Sequence, residues 1–208
     1  FVRKAFYTQI ISKPTKKNSA EMGKIMETKK TDQRVKLTIQ ILQNALIKCM
    51  LKEHISKISV KRICEIADIN RSTFYSHFQN QYDLLEYTCN KVIENIKKYM
   101  DIEYPNEVRS ISHSSLTRIL DYVKDDADLF TALLSDNCDL DIQKKIMKEF
   151  MTYQLYSGLD LRTKEYFYAF GLAGCVSMLQ KWLQDGMPET TSRMAEIILH
   201  AIDKGITA

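Results

Sequence analysis

An all-α chain in two parts is predicted: a three-helix helix-turn-helix unit followed by a larger helical body. Three observations predict it. Proline and glycine are scarce, 3 and 6 in 208 residues, so little interrupts a helix. Apolar residues recur at spacings of three and four in segment after segment, the mark of helices with one buried face. Residues 59–78 carry two helix-start signals in close succession, Ser59 and Asn70, which fits two short helices and a tight turn.

Composition narrows the class. Apolar residues make up 45% and charged residues 27%, ordinary values for a globular protein with an ample core. No apolar run reaches the length that spans a bilayer, and no small-residue cleavage site follows the short apolar stretch near the start. Neither a membrane helix nor a signal peptide is expected, and the chain reads as cytoplasmic. The 5 cysteines are scattered, unpaired as CxxC and mostly on apolar faces, so they read as reduced core residues. A zinc site is the weaker alternative; no metal and no cofactor are expected.

Charge is unevenly spread around the overall +4. Residues 1–98 hold 19 Lys and Arg against 9 Asp and Glu, a net +10; residues 99–208 hold 11 against 17, a net −6. A basic front suits a polyanion, and an acidic back keeps clear of it.

In chain order, residues 1–30 show no sustained period and carry a net +6. They are expected to be a flexible basic extension. The alternatives are an arm that tracks phosphates, or upstream sequence with the natural start at Met22 or Met26. Residues 31–53 read as the first helix, with Leu42, Ala45, Leu46, Cys49 and Met50 as its buried stripe. A linker at 54–57 follows.

The pair at 59–78 comes next. Val60, Ile63, Cys64 and Ala67 give one buried face, and Ser59 stands where its oxygen can cap the first turn. Ala67, Asp68 and Ile69 break the period, and Asn70 can cap again. The second helix has only Phe74 and Phe78 as apolar anchors. Arg71, Ser72, Thr73, Tyr75 and His77 are left to face outward, as a helix laid in a DNA major groove requires.

Residues 80–100 read as a longer helix, capped by Asn80 with Asp83 in its first turn and striped by Tyr82, Leu85, Cys89, Val92, Ile96 and Tyr99. One or two helices follow within 109–135. Asp125, Asp126 and Asp128 lie between them; a solvated turn with helix caps is the plain reading and a metal or acid–base site the alternative. A helix is expected over 139–157, ending at Gly158. Residues 162–184 carry two apolar stripes, one of Phe167, Gly171, Gly174, Met178 and Trp182, the other of Leu172, Val176, Leu179 and Leu183. Two stripes suggest burial on two sides, the second against a partner subunit. Gly171 and Gly174 each cost roughly 1 kcal/mol of helix propensity, which suggests a close backbone approach. Residues 185–188 form a turn. The last helix spans 190–204, with Met194, Ile197, Ile198 and Ala201 buried.

The run from Ala67 to Phe78, A-D-I-N-R-S-T-F-Y-S-H-F, resembles the signature of the TetR family of transcriptional regulators. The likeness extends over about residues 31–85. It implies a DNA-reading unit over 31–78 and a body over 80–208 that dimerises through 162–184 and 190–204. It further implies a palindromic operator, release by a small-molecule or protein effector, and repression as the usual outcome. In this motif the family's Tyr and His hold phosphates, roles that fall on Tyr75 and His77. Residue chemistry adds Arg71 for guanine or phosphate, Ser72 for close approach, Thr73 for a thymine methyl, and Ser59 and Lys61 where the first helix crosses the backbone. Asn70 is either a cap or a contact. Two departures stand out. The family often has Gly at the turn position held here by Asp68, and it favours Lys where Gln81 stands. The salt dependence of DNA binding is therefore expected to be shallower by about one unit of slope.

For an effector, the candidate lining is Tyr122, Tyr153, Phe167, Phe170, Met178 and Trp182, an aromatic set with a few polar ends. The alternative is plain core. An enzyme is not expected: no Ser-His-Asp set, glycine-rich phosphate loop or HExxH occurs. A protein-binding scaffold, or a regulator that answers to a protein alone, is the rival reading.

Overall fold

The computed structural model describes residues 16–100, 111–138 and 160–206. Among them every regular element is helical and no strand occurs. In order these are α1 (Lys16–Met50), a 3-10 turn (Ile55–Lys57), α2 (Val60–Ala67), α3 (Arg71–Tyr75), α4 (Gln81–Met100), α5 (His113–Asp125), α6 (Ala127–Leu134), α7 (Leu161–Gln184) and α8 (Thr191–Ile206). The helix expected at 139–157 lies outside the described residues.

The first helix begins at Lys16, well before the expected Thr31. Beyond Pro14 the only weak helix former of the glycine and proline class before Met50 is Gly23, so nothing forces a later start. By compactness the chain divides within α1, between Ile41 and Leu42.

From Leu42 onward the core follows the expected stripe: Leu42, Ala45, Leu46, Cys49 and Met50 are all buried, and Ile47 joins them. The 54–57 linker is a 3-10 turn whose Ile55, with the following Ile58, is fully buried. In α4 the buried set is Leu84, Leu85, Thr88, Cys89, Val92, Ile93 and Ile96. Tyr82, expected in that stripe, is exposed instead, because its place in the first turn precedes the packed stretch. Buried Thr88 donates to the Leu84 carbonyl at 2.8 Å and accepts from Gln43 Nε2 at 3.1 Å, a polar link between α4 and α1.

The body is built around α5, which packs on α4, α6 and α8; α7 packs on α6 and α8. Ser112 caps α5 by accepting from the Ser115 amide at 3.1 Å. Asp126 ends α5 and starts α6, yet its side chain makes no cap bond, against the expectation that the acidic cluster supplies caps. Partial burial, then the Asp125 charge, push its carboxyl above the usual range. The end of α7 closes as expected at 185–188. Gly186 lies at φ +77 and Met187 at φ +59; their amides reach Leu183 at 3.1 Å and Trp182 at 2.8 Å, a Schellman closure. In α8, Met194, Ala195 and Ile198 are buried; Ala201, expected inside, is exposed, because the inward face follows Ala195 instead.

Candidate nucleic-acid interface

The helix pair is set by its caps. Ser59 Oγ accepts from the Arg62 amide at 3.2 Å and starts α2; Asn70 Oδ1 accepts from the Ser72 amide at 3.3 Å and starts α3. Between them Asp68 sits in the left-handed region at φ 52, ψ 44. The Ile69 amide reaches back to the Cys64 carbonyl at 3.0 Å, closing α2 in the way glycine usually permits. Asp tolerates this backbone better than most side-chain-bearing residues, so the turn survives without Gly. Asn70 therefore acts as a cap.

Two aromatics fix the roll of α3. Phe74 is 0% exposed and Phe78 is buried, their rings 5.9 Å apart. Phe78 in turn meets Tyr87 of α4 edge-on at 5.5 Å, which ties α3 to α4. With that side pinned, Arg71, Ser72 and Tyr75 are exposed, and Tyr75 stands 57% open despite an edge contact with Phe74 at 5.6 Å. Thr73 and His77 are half-buried. The Thr73 carbonyl accepts from Ser76 Oγ at 2.7 Å. Arg71 is close enough to Cys64 that its charge opposes the upward push of burial on that thiol.

The flanks complete the surface. Ser59 and Lys61 are exposed at the start of α2. Lys61 Nζ lies 3.8 Å from Glu65, with both side chains more than half exposed, a pair too weak to hold the lysine from a phosphate. Gln81, half-buried, opens α4 beneath the Asn80 cap, whose Oδ1 accepts from the Tyr82 and Asp83 amides at 2.9 and 3.1 Å. Asp83 reaches back to the Gln79 amide at 2.9 Å. Tyr82 adds an exposed hydroxyl that periodicity had assigned to the core; its signal was adjacency to a cap, where packing has not yet begun.

The effector candidates are not brought together in this way. Tyr122 packs on Tyr99 at 6.1 Å and Phe130 at 5.2 Å, and its hydroxyl accepts from Asn95 at 3.3 Å. Its burial raises the phenol above its usual range. Trp182 is 2% exposed and donates Nε1 to the Glu189 carbonyl at 3.2 Å, the environment of a structural anchor. Phe167 and Met178 are half-buried, and Tyr153 lies outside the described residues. Phe170 is 69% exposed, which corrects its assignment to a lining. Both apolar stripes of α7 turn partly inward, and the face left open carries Tyr166, Ala169, Phe170, Ala173 and Ser177. A Cβ placed on Gly174 would meet nothing within 4 Å, so the close approach expected there is not made among the described residues.

Residues 112–204 match the family described as the transcriptional regulator C-terminal region, a TetR C-terminal class. That match lies within the body and covers less than half of the chain. Residues 112–204 are thus the C-terminal region of a TetR-type transcriptional regulator.

Solved TetR-type structures share the fold. A TetR transcriptional regulator from Streptococcus agalactiae 2603V is 20% identical, with 84% of this chain and 98% of that one covered at a TM-score of 0.60. NalD, the secondary repressor of the MexAB-OprM efflux pump in Pseudomonas aeruginosa, is 18% identical over 83% and 97%, at 0.56. DhaS, a dihydroxyacetone kinase operon activator, is 18% identical over 82% and 96%, at 0.50. At these identities the likeness is one of fold alone. No curated protein sequence matches the chain. The matched family is one of transcriptional regulators, and every described element of the chain is helical, as in those structures. The family is one of regulators rather than enzymes. No described helix is long and apolar enough to cross a membrane, and no described cluster of His, Cys, Asp and Glu has the make-up of a metal site.

Proposed function

We propose that the protein is a cytoplasmic homodimeric repressor that reads a palindromic operator with α3 and leaves it when an effector binds the body. The observation that carries this is the α2–α3 pair, with Phe74 and Phe78 turned in and Arg71, Ser72 and Tyr75 turned out. Arg71 supplies a bidentate donor for guanine or a phosphate; Tyr75, His77, Lys61, Ser59 and Gln81 hold the backbone; Ser72 allows close approach and Thr73 presents its methyl to thymine. The exposed Tyr82 hydroxyl joins the backbone set, and Asn70 serves the fold. Residues from about 31 to 78 do the reading, and those from about 80 onward dimerise and sense.

The open face of α7 supports dimerisation. Tyr166 and Phe170 are 66% and 69% exposed on one helix side, and large aromatic rings at such exposure favour a protein partner. A two-fold dimer places its two α3 helices on half-sites about 34–36 Å apart, or a multiple of that. An effector that fits one arrangement of the body shifts that spacing through α4; by linkage, operator must weaken the effector to the same degree.

Selection of bound duplexes from a random pool tests the reading. The winners are expected to be inverted repeats, bound at least about a thousandfold more tightly than scrambled DNA at fixed salt. A specificity ratio near one would favour the scaffold reading instead. Repression is chosen because occlusion of polymerase needs no further surface; a reporter that rises with added protein would reverse the sign.

A further inference from the structure

The turn after α6 is bonded to both halves of the coupling problem. Asn137 uses two of its groups on the reading unit: its carbonyl accepts from the Ile55 amide at 2.9 Å, and its Nδ2 donates to the Met50 carbonyl at 2.8 Å. Both groups are helix-end orphans. Met50 lies in the last turn of α1, and Ile55 opens the 3-10 turn. Both residues are fully buried, so water is a poor substitute partner. The same turn is tied to the body. Gln180 of α7 donates its side-chain amide to the Leu134 carbonyl, the last residue of α6. Ser135 Oγ accepts from the Asn137 amide at 3.2 Å and donates to the Ala132 carbonyl at 2.8 Å, which fixes the turn that carries Asn137. A continuous bonded line therefore runs from α7, through residues 134–137, to the end of α1 and the 3-10 turn that precedes α2.

We infer that Asn137 is the positioning residue of a second coupling route, in parallel with α4, by which the state of α7 sets the seat of the reading helices. The inference rests on the DNA-reading proposal above and adds to it the residue pair Asn137 and Gln180. Coupling of this kind is reciprocal, so it can be read from the DNA side without an effector.

The experiment is amide hydrogen exchange on the full-length protein, free and saturated with its selected operator duplex. In the parent, operator is expected to slow exchange in peptides from α2–α3 and also in the C-terminal half of α7, the latter by roughly fivefold or more, the low end of usual site-to-site coupling. In Asn137→Ala the α2–α3 slowing should persist while the α7 slowing disappears. Gln180→Met, which leaves Asn137 in place, should give the same split and carries the test if Asn137→Ala does not fold. An α7 response at the parent's level in whichever folded variants are obtained would make the turn a purely structural joint and overturn the inference. Operator binding by the parent without any α7 response would overturn it too. A parent that selects no duplex would instead sink the DNA-reading proposal.

Discussion

α3 and α7 each turn a face away from the protomer, and the two faces are opposite in kind. α3 is 5 residues long, held from beneath by Phe74, and it shows guanidinium, hydroxyl and phenol groups. α7 is 24 residues long and leaves two aromatic rings standing in water. A polar, basic face can meet a hydrated polyanion and exchange water for phosphate oxygens at little cost. Exposed rings gain only by leaving water for another apolar surface. The difference fits the two partners proposed above, a duplex for the first helix and a second copy of the chain for the second. It also says where each helix gets its stability: α3 from its anchors, α7 partly from what is proposed to cover it.

The largest break in that contrast is at Phe74. Its ring is fully buried and fixes the roll of α3, so Phe74→Ala should cost about 3–5 kcal/mol by loss of transfer energy and cavity formation. Denaturant titration is expected to show the loss, and DNA binding should vanish with it for every sequence alike. A cost under about 1 kcal/mol would mean that α3 is not held by its aromatics.

Next comes Phe170. Replacing an exposed ring should leave the protomer's own stability within about 0.5 kcal/mol, but a central aromatic in a dimer contact carries about 2 kcal/mol or more. Phe170→Glu is expected to raise the dimer dissociation constant by roughly thirtyfold or more, read by sedimentation equilibrium. A parent-like dimer would move the interface off this face of α7.

Arg71→Ala sharpens the other side. Because Arg71 is exposed, the fold should be unmoved, while operator affinity at fixed salt should fall by about 1–3 kcal/mol and specificity relax at one base pair. An unchanged affinity, together with an unchanged Tyr75→Phe protein, would leave α3 without a reading role.

The contrast also explains what could be read from the residues. The front was legible because its signals are local. Ser59 and Asn70 cap helices within three residues of themselves, and the Phe74 and Phe78 spacing fixes which side of α3 is hidden; neither needs the rest of the fold. The departure of Asp68 from Gly was equally visible, and its left-handed backbone is what a turn there demands. The back was less legible because its helices compete for the same interior. Two apolar stripes on α7 gave no way to know that both would turn partly inward and leave Tyr166 and Phe170 outside. Aromatic content alone put Trp182 and Phe170 in one class, although one is a buried anchor and the other is bare. Asn137 had no signal at all: a polar residue after a helix becomes a joint only when Met50 and Ile55 arrive from far along the chain.

The smallest predicted effect tests the turn between the two helices of the reading unit. At φ 52 Asp68 is in a region that disfavours side-chain-bearing residues by about 1–2 kcal/mol, less for Asp. Glycine relieves that strain but gives back part of it through a freer unfolded chain, so Asp68→Gly should stabilise by only some tenths of a kcal/mol up to about 1. Removing the carboxylate should also tighten operator binding slightly at low salt, an effect that fades as screening rises. Asp68→Ala separates the two causes. It loses the same charge, so its affinity at low salt should rise equally, but it keeps a Cβ in the left-handed turn and should melt below the parent. Equal stabilities for the Ala and Gly proteins would mean that backbone handedness is not what this position selects, and the match between the turn and its unusual residue would need another cause.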